Sequence, residues 1–184
     1  MGLVAVLTSV KDETFRKIER SGPSIWELTD TGFEAVDADG EASTEISPVA
    51  FETDAGEGIV ADLDKAWHGL HFCLTGTSYG GVPPLNFIAA GGTLSAAIMP
   101  DMGVRYFSSS EVREIAASLA KLTVKDLRNT FDPAEMKKAD IYPDIWDREE
   151  EDFNFDYIEQ NFEIAQDFAA KCAEANCGFL ICIG

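Results

Sequence analysis

Blocks of apolar and polar positions with different periods follow one another along the chain, and they predict its elements. Leu3 to Leu7 is apolar and rich in β-formers, which predicts a short buried first strand. In KDETFRKIER, Phe15 and Ile18 stand among charged residues, the pattern of an amphipathic helix. Ser9 with Asp12 reads as its capping arrangement, and Ser21-Gly22-Pro23 as its stop. SIWELTD reads as one further helical turn with Trp26 inward. Residues 30 to 58 are acidic, Gly-rich and poor in large apolar residues. They predict surface loops with one short strand around Val49 to Glu52.

From Leu63 to Leu74, the residues Leu63, Ala66, Trp67, Leu70 and Leu74 share one helical face, and Gly76 stands where a helix ends. Phe72 falls on the opposite side, so this helix is expected to be covered on more than one face. Residues 104 to 108, VRYFS, predict a strand that runs into a serine-capped helix with Val112, Ile115 and Leu119 inward. Thr123 with Asp126, and Asp132-Pro133 with Glu135, each open a short helix. IYPDIWD reads as an extended stretch holding Tyr142 and Trp146. From about residue 149 to 175, Phe155, Ile158, Phe162, Ala165, Ala169 and Cys172 recur at spacings of three and four. This is the buried stripe of a long helix whose N-terminal acids suit the helix dipole. FLICI is apolar on both faces and reads as a central strand under helices on both sides. The expectation is a single α+β domain over residues 1–184. Its small mixed sheet holds the N- and C-terminal strands and is packed by several helices, including a long C-terminal one.

Charge narrows the function classes. The formal net charge is −19, which disfavours nucleic acid and anionic membranes as partners. Residues 21 to 64 carry twelve acids and no Lys or Arg; residues 141 to 178 carry eleven acids against Arg148 and Lys171. Such blocks either form solvated faces or attract a basic protein partner. No apolar run approaches the roughly 18 residues of a membrane span, and MGLVAVLTSV lacks the basic start of a signal peptide. Cys73, Cys172, Cys177 and Cys182 form no C-x-x-C pair and read as free buried thiols in a cytoplasmic protein.

Candidate chemistry gathers in DLDKAWHGLHFCLTG, residues 62 to 76. Asp64, His68 and His71 share one stripe of the expected helix, which is a permissible ligand set for zinc or iron. The spacing is not that of H-E-x-x-H and no ligand from a second helix can be named, so no metal or other cofactor is expected. The bland expectation is a core-edge His71 bonded to backbone or carboxylate and a solvated His68. Cys73 lies two residues from His71 and points elsewhere on a helix, so it is not read as a nucleophile. Trp67, Tyr79, Tyr142, Trp146 and Phe153 are an aromatic set suited to a pocket or an interface.

The same segment resembles the YfbM-like family of uncharacterised bacterial proteins. Asp64, Lys65, Trp67, Leu70, His71, Leu74, Thr75 and Gly76 match its pattern D-K-x-W-x-x-L-H-x-x-L-T-G. LRNTFDPAEMKKADIYP is similar to the family's L-R-x-x-F followed by I-Y-P. The resemblance covers nearly the whole chain. It implies an α+β fold and a bacterial, cytosolic setting, and it carries no established activity. His68 falls on a free position of the pattern, which weakens the metal reading.

Two functions follow as expectations. One is an acidic binding protein, of immunity or antitoxin type, that covers a basic partner. The other is a small-molecule-binding protein or enzyme with a pocket around Trp67 and His71. There His71 would be the acid or base, Asp64 its orienting carboxylate, and Tyr79, Tyr142 and Trp146 further binding residues.

Overall fold

In the computed structural model, which describes residues 2–21, 24–148 and 151–184, the chain's two terminal strands pair with each other. Strand β1 (Ala5–Val10) runs antiparallel to β8 (Gly178–Ile183) along its full length, from Ala5 opposite Ile183 to Val10 opposite Gly178. The remaining strands are β2 (Ile25–Thr29), β3 (Gly32–Val36), β4 (Val49–Ala50), β5 (Val60–Asp62), β6 (Thr93–Leu94) and β7 (Arg105–Phe107). They complete a five-stranded sheet of order β5-β1-β8-β7-β6 and a three-stranded sheet of order β2-β3-β4. Every strand pairing is antiparallel, so the sheet is not mixed as expected. The one parallel backbone contact among the described residues is an isolated bridge between Trp26 and Ile98.

The helices are α1 (Asp12–Arg20), α2 (Trp67–Thr75), α3 (Ser109–Leu119), α4 (Val124–Thr130), α5 (Pro133–Lys138) and α6 (Glu151–Glu174). β8 lies centrally, as its apolar run predicts, and alternation along it feeds two cores. Phe179 and Ile181 face the larger core with α2, α3 and α6; Leu180 faces the smaller one with α1 and the β2–β3 pair. Helices therefore cover one face, while α1 and a second sheet cover the other. The expected stripe of α6 is buried: Phe155, Ile158, Phe162, Ala165, Ala169 and Cys172 all enter the larger core. Each large member contributes about 1.5–3 kcal/mol of burial free energy.

Several local expectations are corrected. SIWELTD is strand β2, not a helical turn; Trp26 does point inward, with its indole N–H donating to Ser21 Oγ at 2.9 Å. Ser9 caps nothing. It is buried in β1, where its hydroxyl donates to Gly56 O at 2.8 Å and accepts from Ile59 N at 2.7 Å; the cap position of α1 is Lys11. The loop-rich reading of residues 30 to 58 missed β3, although β4 falls where a strand was expected. Tyr142 to Asp147 make turns instead of an extended stretch. The proposed stop at Gly22-Pro23, and the acids at positions 149 and 150, lie outside the described residues.

Candidate functional site

The quoted segment reaches α2 through a 3₁₀ turn, Asp64–Ala66, whose first residue takes φ 43° and has its N–H held by Asp62 Oδ1 at 2.7 Å. α2 then runs to Thr75 and stops at Gly76, which takes φ 71°, the left-handed cap that glycine adopts without strain. Every side chain from Trp67 to Cys73 is buried, so the helix is enclosed on more than one face, as Phe72 predicted. Gly69 permits this. A Cβ there would stand 2.5 Å from Trp146 Cζ2 and 2.7 Å from Ile158 Cδ1.

The two histidines take opposite roles from those expected. His68 is buried and fully bonded, not solvated. Its Nδ1 accepts the Tyr142 N–H at 3.0 Å, so the ring proton sits on Nε2 and is donated to Ser78 O at 2.8 Å. A neutral ring thus ties α2 to both flanking loops. Burial holds its pKa below the usual histidine range, against the Ser78 hydrogen bond and the charge of Asp140. His71 is fully buried, and neither ring nitrogen has a hydrogen-bond partner among the described residues. Burial, with His68 and Arg105 adding to it, pushes its pKa down to about 4. It is a neutral core residue with no open cleft before it.

Asp64 is exposed and orients a tyrosine, not a histidine: its Oδ2 accepts the Tyr157 hydroxyl at 2.6 Å. Asp64 and His68 are thereby committed to different partners; among the described residues, His71 is enclosed without one and no group of three potential ligands is placed to hold a metal ion. Cys73 is buried, and its thiol is pushed up to about 12 by burial.

The aromatic set divides. Tyr79 (65% exposed), the buried His68 and Trp67, and the half-buried Tyr142 form a ladder of rings. Centroid distances are 4.8 Å for Tyr79–His68, 4.7 Å for His68–Trp67 and 6.3 Å for Trp67–Tyr142. The Trp67 indole N–H donates to Leu3 O at 3.2 Å, which leaves the ring no free polar edge. Trp146 is a core residue that donates to Ile141 O at 3.1 Å and packs on Phe131 and Tyr157. Phe153 stands apart on α6, 68% exposed.

Sequence reasoning passed over Arg105, a lone cation in an apolar strand. Its guanidinium donates to the carbonyls of Phe87, Ile88, Ala90 and Gly91, which holds the loop between α2 and β6 against β7. Asp12, read from the sequence as half of a cap with Ser9, instead accepts from Tyr106 Oη at 2.5 Å and Ser109 N at 2.8 Å and so ties α1 to the start of α3.

Residues 1–182 match the model of the family described as Domain of unknown function (DUF1877). The chain belongs to that family. A solved structure with the same fold is that of a protein of unknown function, YfbM, from Escherichia coli. It is 20% identical, with a TM-score of 0.66 over 98% of this chain and 99% of that one. No curated protein matches. The resemblance read from Asp64 to Gly76 therefore named the family, and this family carries no assigned activity. Among the described residues, no helix is long and apolar enough to cross a membrane.

Proposed function

We propose that the protein is a binding protein whose outer α6 face engages a basic protein partner. The observation that carries this reading is the composition of that face. Phe153 (68% exposed) and Ile164 (40% exposed) are eleven residues apart, three helical turns and about 16 Å along one side. Asp156, Glu163 and Asp167 are exposed beside them. Asp152 is bridged to Arg128 and Asp167 to Lys171, but neither Asp156 nor Glu163 has an ion-pair partner among the described residues. Apolar anchors set among unpaired acids suit an amphipathic basic segment, with the charge steering its approach. The enzyme reading loses its acid–base group, because His71 is fully buried with no open cleft before it.

Of the first acid-rich block, Asp64 meets α6 at Tyr157, whereas the acids of the β2–β3 pair lie apart from it. The β2–β3 pair packs on the smaller core and α6 on the larger, on opposite sides of the central sheet.

The test is capture from a native bacterial lysate on the immobilised chain at low and high salt, with mass spectrometry. The expected result is a stoichiometric basic protein, lost at high salt and lost at low salt with Phe153→Ser. Retention of nothing in either buffer overturns the reading, as does retention unaffected by Phe153→Ser.

A further inference from the structure

Beside α3, a cleft of about 180 Å³ lies between the Pro83–Pro84 turn, Gly91–Gly92 and the helix. Its apolar lining includes Phe107 and Ile115, both core residues, and its carboxylates are Glu111 and Glu114. Asn86, only 7% exposed, lines it as well. The Asn86 amide nitrogen donates to Gly81 O at 3.2 Å, which fixes the orientation of the side chain. Its Oδ1 accepts no hydrogen bond from any described residue. It lies 3.6 Å from where a Cβ on Gly91 would stand, so it faces that wall of the cleft.

We propose that this cleft binds the side chain of a lysine or arginine presented by a protein partner. The polar side-chain groups it offers are mainly acceptors: two carboxylates and one amide oxygen, with one of the two amide N–H donors held by Gly81 O. Such a lining matches a group that only donates, and a cation best of all. Phe107, Ile115 and the two prolines accommodate the apolar stem that lysine and arginine carry. The volume falls below the roughly 300–1,000 Å³ of pockets for drug-sized ligands, so it suits one side chain and not a cofactor. Of the neighbouring cations, the Arg105 guanidinium lies 5.9 Å from the ring centroid of the lining Phe107 but is held by backbone carbonyls, and Arg113 donates to Asn176 Oδ1 at 2.6 Å. Glu111 uses Oε2 to cap α3 at Ser108 N, 2.8 Å away, whereas Glu114 has no ion-pair partner among the described residues. Val82, next to Pro83 in the chain and 79% exposed, favours a protein surface around the inserted side chain over a free small molecule.

The inference does not rest on the α6 face, and its test does not involve that face. The full chain, labelled with ¹⁵N, is titrated with n-butylammonium and n-butylguanidinium as side-chain probes, with n-butanol as the uncharged control. The expected result is saturable millimolar shifts of the Gly91, Gly92, Phe107, Glu114 and Ile115 amides with the two cations and not with n-butanol. Glu114→Gln, at an exposed position that caps nothing, weakens binding about threefold or more, while Glu45→Gln, exposed in the loop between β3 and β4, leaves it unchanged. Equal shifts with n-butanol, equal effects of the two variants, or no saturable shift at these amides each overturn the proposal.

Discussion

Two histidines three residues apart on one short helix show how far a residue's role depends on its partners. His68 is a two-sided hydrogen-bond strut between loops, and His71 is an imidazole sealed in the core without a hydrogen bond. Leaving such a group unbonded costs about 1–3 kcal/mol, so His71→Leu should hold or raise stability at pH 7, measured by urea unfolding. The pH dependence has a definite sign. The folded His71 pKa, about 4, lies below the ordinary value of 6.5, so the unfolded chain binds more protons on acidification. Stability from this group is present above about pH 6.5 and is lost as pH falls toward 4. Between pH 7 and pH 5 the wild type should lose about 2 kcal/mol more than His71→Leu does. Equal slopes for the two proteins would show that His71 is not held neutral. The helical stripe did not separate these roles; the loops around residues 78 and 142, which bury and bond His68, are what the sequence left unread.

At the scale of elements, periodicity was a sound guide wherever the apolar residues were large and regularly spaced. α3, α4, α5, α6 and β8 fall where the pattern places them, and the capping boxes at Ser108–Glu111 and Thr123–Asp126 are formed. It misled where the signal was short. SIWELTD carries one buried aromatic and fits one helical turn as well as a strand; the pairing of Trp26 with Ala35 and its hydrogen bond to Ala97 O decide for β2, and neither is local. Ser9 is a good cap by type, but a buried strand hydroxyl bonded to residues 56 and 59 by position. β-strand direction was equally illegible, because an apolar run reads the same for parallel and antiparallel neighbours. α2 carries its own test. Alanine at Gly69 favours the helix by nearly 1 kcal/mol, yet its methyl group would press on the rigid Trp146 ring and on Ile158. Sterics should win, with a net loss of about 1–3 kcal/mol in urea unfolding. A Gly69→Ala variant as stable as wild type would show that α2 and Trp146 are not in close contact.

Across the whole molecule, the uneven charge was plain in the sequence, but its distribution in space was not. Only the alternation along β8 places the β2–β3 acids and the α6 acids on opposite sides of one sheet. The D-K-x-W-x-x-L-H-x-x-L-T-G pattern that marks the family is mostly packing: Trp67, Leu70 and His71 are buried, Gly76 caps a helix, and the Asp64 carboxylate accepts from Tyr157 Oη. That pattern preserves a way of docking α2, and the surfaces proposed to bind lie outside it. The most direct measurement compares two variants of equal charge. One carries Asp156→Asn, Glu159→Gln and Glu163→Gln on α6; the other carries Glu27→Gln, Glu34→Gln and Glu41→Gln on the opposite side. Each is immobilised, and its retention of the basic partner at low salt is quantified against wild type. The α6 variant should lose at least tenfold, with the other unchanged. Equal losses, or none in the α6 variant, would contradict a binding face on α6.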